Sequence, residues 1–485
     1  MRSVARSVPF VAAGAASLLL LAACGGDDGG DGASRTERER TTRTDGAFTA
    51  CADQCSGEID GAAFEILMPE SWNGTLLLYS HGYRQAEAAP PDFEPVNTDP
   101  DPAPGYSSGD ERAAEALLAE GYALAGSAYA SNGWAVSDGV AAGEALHEHF
   151  VETVADPDRT YVWGDSLGGL VTQVLAERNP DWVTAAAPLC GVLAGPVANL
   201  DLALDVSYAT KTLLAPELEL TGYSDFDDAV ASWQLGFDAV VAARGDTANG
   251  VPRILMVAAL TDAPTKTATY DGSTVESQVR ARAEAALTAL GYSTYGRYEI
   301  EQRFSGNPST NVGVDYAERV DETERGLIDT VGGEGTTDRL LAELEAGERL
   351  EADATARQAF ADSGTPTGAV QDPTITLHTT ADPLVLVQNE TVFAERAAAN
   401  PDRTSDVVQL YSSAPATYSE EEGAPYGAGH CNFSPDERLG VITLLDRWAR
   451  EGLYPASGAV ESAMGGENGI EPNYQPGPWP ATLED

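Results

Sequence analysis

The chain has 485 residues, 43% of them apolar, which exceeds one minimal domain and suffices for a large buried core. Its formal net charge is −48, and Lys211 and Lys266 are its two lysines, so nearly every cation is an arginine. That balance repels polyanions, which argues against nucleic acid and polyanionic substrates as partners and says nothing about fold.

At the N-terminus, Arg2 and Arg6 precede an apolar run from Val11 to Leu21 that is short for a membrane span, and Leu21-Ala22-Ala23 sets small residues before Cys24. The tetrapeptide resembles a bacterial lipobox. That resemblance implies removal of residues 1–23 as a lipoprotein signal peptide and a diacylglycerol on the Cys24 thiol. An ordinary cleaved signal with Cys24 incidental is the other reading. Residues 24–46, rich in Gly, Asp, Arg and Thr, have almost nothing to bury and read as a flexible tether. The expectation is an exported protein held at the extracellular face of the cell membrane through its N-terminal lipid only.

With Cys24 set aside, Cys51, Cys55, Cys190 and Cys431 form an even set in an oxidising compartment. Cys51 and Cys55 lie in a Gly/Asp-rich stretch and point to a small local disulfide. A C-x₃-C metal site is the rival, with no second ligand pair behind it, so neither metal nor cofactor is expected.

Short apolar runs then alternate with helical patterns, as in a mostly parallel sheet flanked by helices. Strands are predicted at Phe64–Leu67, Thr75–Ser80, Tyr122–Ser127, Tyr161–Gly164, Val183–Leu189, Ile375–His378 and Val407–Leu410. Helices are predicted at Val140–Val154, Leu167–Arg178, Val385–Ala398 and Pro435–Glu451, with Asn179-Pro180 ending the second. Between Pro196 and Gln371 the alternation breaks. Val230, Trp233, Phe237 and Val240 recur at helical spacing, as do Val275, Val279, Leu287 and Leu290, with Gly291 read as a C-cap. This stretch reads as a mainly helical insertion: a lid over the strand ends where ligands bind, or a second domain without a catalytic role.

The most informative segment is Gly164-Asp165-Ser166-Leu167-Gly168, a G-x-S-x-G sequence between a predicted strand and a predicted helix. A serine on so tight a turn stands clear of the sheet, and the new helix aims backbone N–H groups at developing negative charge. A serine hydroxyl needs a base. Of five histidines, His147 and His149 lie on different faces of a helix, His378 lies within a strand, and His81 belongs to another motif. His430 remains, in the small-residue loop Gly427-Ala428-Gly429 before the final helix. Asp382, after the strand Ile375–His378, is the candidate for orienting the imidazole. Asp262, after the apolar run Ile254–Leu260, and Asp201 are its rivals.

The order Ser166, Asp382, His430 is that of the α/β-hydrolase superfamily, which the chain resembles over about residues 60–195 and 370–455. His81-Gly82 after the strand Thr75–Ser80 resembles the superfamily's HG oxyanion loop. The resemblance implies backbone donors at Tyr83 and Leu167. It divides the chain into a first core part (47–195), the insertion (196–371), a second core part (372–455) and a C-terminal extension (456–485). Serine at 166 argues against haloalkane dehalogenases and epoxide hydrolases, and the His81-Gly82 loop lacks the glycine runs of proline-specific peptidases and hormone-sensitive-lipase-like esterases.

Cys431 follows His430, and Cys190 ends a neighbouring strand, so a disulfide between them would brace the histidine loop; two buried free thiols are the alternative. Tannase-like and feruloyl-esterase-like enzymes also carry a cysteine beside the catalytic histidine. Its partner there precedes the serine, where this chain has Asp165, so the likeness reads as functional analogy at most. The function expected is a carboxylic ester hydrolase working through an acyl-enzyme on a small or polymeric ester. A secreted serine peptidase or amidase and a non-catalytic surface-binding lipoprotein are the alternatives.

Overall fold

The computed structural model describes residues 54–418, 424–464, 469–471 and 473–481. Cys24, the signal segment, the tether and Cys51 lie outside the described residues. The expected lipidation and the Cys51–Cys55 disulfide therefore stay as sequence expectations.

Among the described residues nine strands form one sheet: β1 (Gln54–Ile59), β2 (Ala62–Leu67), β3 (Thr75–Ser80), β4 (Ala123–Ser127), β5 (Arg159–Asp165), β6 (Val183–Leu189), β7 (Thr374–Thr379), β8 (Val407–Ser413) and β9 (Gly469–Ile470). Their spatial order is β1-β2-β4-β3-β5-β6-β7-β8-β9. Strands β3 to β8 run parallel, and β1, β2 and β9 are antiparallel to their neighbours. Parallel strands need crossovers that cover both faces, so the central strands are buried along nearly their whole length. On β3, Leu76 and Leu78 pack to one face under α2 (Val136–Thr153) and α3 (Leu167–Arg178). Leu77 and Tyr79 pack to the other, under α1 (Arg112–Ala119) and α13 (Pro435–Glu451). Each such side chain contributes about 1.5–3 kcal/mol by leaving water.

Between β6 and β7 stand eight helices: α4 (Pro196–Leu213), α5 (Phe226–Ala243), α6 (Gly250–Leu260), α7 (Val275–Tyr292), α8 (Tyr295–Phe304), α9 (Glu322–Gly332), α10 (Thr336–Glu345) and α11 (Ala354–Asp362). They share an apolar interior of their own, with Leu255, Leu260, Ile328, Leu340 and Leu344 fully buried. The insertion is also pinned to the core. Arg303 on α8 reaches Asp138 at 3.1 Å and the Asn132 carbonyl at 2.7 Å. Glu299, one turn earlier, accepts the Trp134 backbone N–H at 2.8 Å. The rest of the chain supplies α12 (Asn389–Ala399), α13 and α14 (Ser457–Ala463).

Two readings need correction. Gly291 is no cap: α7 runs on to Tyr292, and a Cβ at 291 would meet the Tyr295 ring carbon Cζ at 2.9 Å, so its glycine serves close packing. The helix predicted from Val385 starts at Asn389, because Asp382 holds Leu384 and Val385 in a turn by accepting both backbone N–H groups at 2.9 Å. Strand order, direction and the serine turn make this an α/β-hydrolase fold with a large helical insertion.

Candidate active site

The turn between β5 and α3 is built from atomic crowding. Ser166 takes φ 59°, ψ −121°, a region that costs a non-glycine residue of order 1–3 kcal/mol. Its backbone N–H holds the Leu189 carbonyl at 2.9 Å. A Cβ on Gly164 would lie 2.4 Å from the Ser80 carbonyl oxygen, and one on Gly168 would lie 2.0 Å from it. Those two glycines let the Ser166 turn press against the end of β3, and nothing larger fits.

Three residues from three distant segments meet there. His430 Nε2 stands 2.7 Å from Ser166 Oγ, and His430 Nδ1 stands 2.7 Å from Asp382 Oδ2. Both of the carboxylate's oxygens are therefore occupied, the second by the Leu384 and Val385 amides. Burial alone would push the Asp382 carboxyl up, but the charge and hydrogen bond of His430, the charge of His378 and the Leu384 amide hold it below its usual value. With Asp382 ionised, Nδ1 must carry the hydrogen, which leaves Nε2 free to accept from the serine hydroxyl.

The rival carboxylates are engaged elsewhere. Asp201 pairs with Arg357 at 3.0 Å, and Asp262 accepts from the Gln388 side chain. The run before Asp262 is helix α6, not a strand. His378 donates through Nε2 to the Val385 carbonyl at 2.8 Å and meets Glu390 at 3.2 Å, so it lies behind Asp382 and away from the serine. His147 stacks on Trp182 at 4.0 Å, and His149 lies over Phe64. His81 is buried against Tyr129; burial and the charge of Arg84 lower its pKa to about 3, which keeps it neutral beside the turn.

The Tyr83 and Leu167 backbone N–H groups have no hydrogen-bond partner among the described residues. Both residues line a cavity of about 100 Å³ that opens on Ser166. Its other walls come from the insertion, through Leu200, Ala289 and Ile300, and from Pro383–Leu386 after the aspartate.

The histidine loop is fastened twice. Cys190 and Cys431 form a disulfide that joins the end of β6 to the residue after His430. Asp165, wholly buried before the serine, takes Arg438 from the first turn of α13 at 2.6 Å, and Tyr79 donates to it at 3.0 Å. Arg438 in turn donates to the Cys431 carbonyl at 3.1 Å. Sequence reading overlooked Arg438 and Tyr79. The signal was a carboxylate flanked by a buried strand and a buried serine, a position that demands a cation.

No curated relative matches the chain in sequence. In structure it is similar to feruloyl esterase B from Aspergillus oryzae, with 14% identity over 81% of this chain and 78% of that one, at a TM-score of 0.36. It is also similar to a proline iminopeptidase of Mycobacterium smegmatis, with 14% identity over 83% of this chain and 100% of that one, at a TM-score of 0.33. A third is the rice cell wall degrading esterase LipA from Xanthomonas oryzae, with 14% identity, coverage of 75% and 81%, and a TM-score of 0.32. A family model matches residues 60–328, more than half of the chain, taking in the Ser166 turn and most of the insertion and ending before Asp382 and His430. The chain thus belongs to the tannase-like family of unknown function (DUF6351).

Proposed function

We propose that the protein is an extracytoplasmic carboxylic ester hydrolase with Ser166 as nucleophile, His430 as general base and acid, and Asp382 as the group that orients His430. The observation that carries this reading is the continuous hydrogen-bonded line from Asp382 through His430 to Ser166, at 2.7 Å for each link. Ser166 Oγ attacks the ester carbonyl carbon while its proton passes to His430 Nε2. The oxyanion of the resulting tetrahedral intermediate is received by the Tyr83 and Leu167 N–H groups. The C–O bond to the alcohol then breaks, and His430 returns the proton to the departing oxygen. Water repeats the sequence on the acyl-enzyme, releasing the acid and restoring the serine.

Peptidase or amidase action is the second reading. Among the described residues no acidic side chain lines the cavity to receive a free amino terminus. The test compares p-nitrophenyl esters with aminoacyl p-nitroanilides on the purified protein. Esters should be turned over at a far higher kcat/KM, and Ser166→Ala should lower kcat by about 10⁴-fold or more while the fold persists. Anilides cleaved in preference to esters would reverse the assignment.

A further inference from the structure

We propose that the cavity beside Ser166 is an acyl pocket for short, uncharged, apolar acids, an inference that rests on Ser166 being the nucleophile. Three observations converge on it.

The first is which half of an ester the cavity can hold. The alcohol oxygen must leave next to His430 Nε2 to receive its proton. Ser166, Leu167 and Tyr83 line the cavity, and His430 does not. The alcohol therefore departs on the histidine side, and the acyl group lies in the cavity.

The second is the chemistry of the walls. Val192, Leu200, Val206, Ala286, Ala289 and Ile300 make up much of the lining, and among the described residues no acidic or basic side chain reaches it. Two of its polar members are spoken for, while the buried Trp134 indole N–H, without a partner among the described residues, offers one donor to a neutral acceptor. Asn199 exchanges hydrogen bonds with Asn389 at 3.0 and 3.2 Å and donates to the Gly195 carbonyl at 2.9 Å. The Thr261 hydroxyl is turned back on its own helix, to the Val257 carbonyl at 3.3 Å. Tyr83 packs edge-on to Tyr292 at 5.3 Å between ring centroids, and burial pushes its phenol further above its ordinary value, so it enters the cavity uncharged. A carboxylate, an ammonium or several hydroxyls entering this space would lose water with too few partners in return.

The third is size. At about 100 Å³ the cavity is smaller than the ~150 Å³ aliphatic cavity that admits one benzene. That suits an acyl chain of roughly four or five carbons, below the size of a benzene ring.

The experiment measures kcat/KM for methyl esters that share one alcohol, following the released acid by chromatography: acetate, pentanoate, monomethyl succinate and 3,4,5-trihydroxybenzoate. Pentanoate should exceed succinate, its near-isostere with a terminal carboxylate, by about 100-fold or more, and trihydroxybenzoate by at least about tenfold. Ala289→Phe, which fills the cavity, should lower the pentanoate-to-acetate ratio by about tenfold. Leu200→Ala, which enlarges it, should move the optimum to a longer chain, and serves equally if the phenylalanine variant does not fold. Succinate or trihydroxybenzoate turned over as fast as pentanoate, with acetate turnover intact, would overturn the acyl pocket and leave the nucleophile standing. Absence of turnover on all four esters, together with failure of a fluorophosphonate to label Ser166, would remove both.

Discussion

Asp165 sits one residue before Ser166, and its carboxylate is wholly buried. Two 2.6 Å contacts from one Arg438 nitrogen and the Tyr79 hydroxyl satisfy it, and Arg438 carries the connection on to the Cys431 carbonyl. The pair therefore links β5 to the loop that carries His430, alongside the disulfide. Breaking it from one side leaves a buried charge unpaired: Arg438→Met should destabilise the fold by about 3–5 kcal/mol, read from chemical denaturation. Adding Asp165→Asn should restore most of that stability. If the pair also positions His430, kcat of the folded double variant stays about tenfold or more below wild type with KM little changed, because misplacement of a catalytic group acts mainly on the chemical step. A double variant with wild-type stability and wild-type kcat would reduce the pair to a structural role.

At the scale of elements, what the sequence disclosed and what it hid have separate physical causes. β3 and β6 were legible to the residue, since strands buried on both faces read as unbroken apolar runs between turn residues. β1, Gln54–Ile59, was missed: an edge strand exposes one side and carries polar and glycine residues, so it lacks that signature. The two-residue β9 has no periodicity to read. α12 was placed too early because Val385 to Val387 look helical by composition, while the local hydrogen bonds of Asp382 hold the preceding segment in a turn. The serine turn, Asp382 and His430 were legible because each follows or precedes a strongly patterned element. The apolar cavity was not, since α4, α7 and α8 contribute to it from far apart in sequence and only the packing of the insertion brings them over Ser166.

For the molecule as a whole, the chain belongs to a tannase-like family of unknown function, and Asp165 directly precedes Ser166. Here Cys431 pairs with Cys190, and charge joins the serine strand to the same loop. The proposed lipid anchor lies well before β1 in sequence, so attachment and catalysis should be separable. Cys24→Ser should move the protein from the membrane fraction to the soluble fraction with kcat/KM on esters unchanged; a variant that stays with the membrane would count against the lipobox. The central claim, that Ser166 is a nucleophile made reactive by His430 and Asp382, is tested most directly by covalent labelling. Treatment of the folded protein with a fluorophosphonate, followed by peptide mass mapping, should give one adduct, on Ser166, formed on the order of 10³–10⁴ times more slowly in Asp382→Asn. A folded protein whose Ser166 stays unmodified would contradict the account.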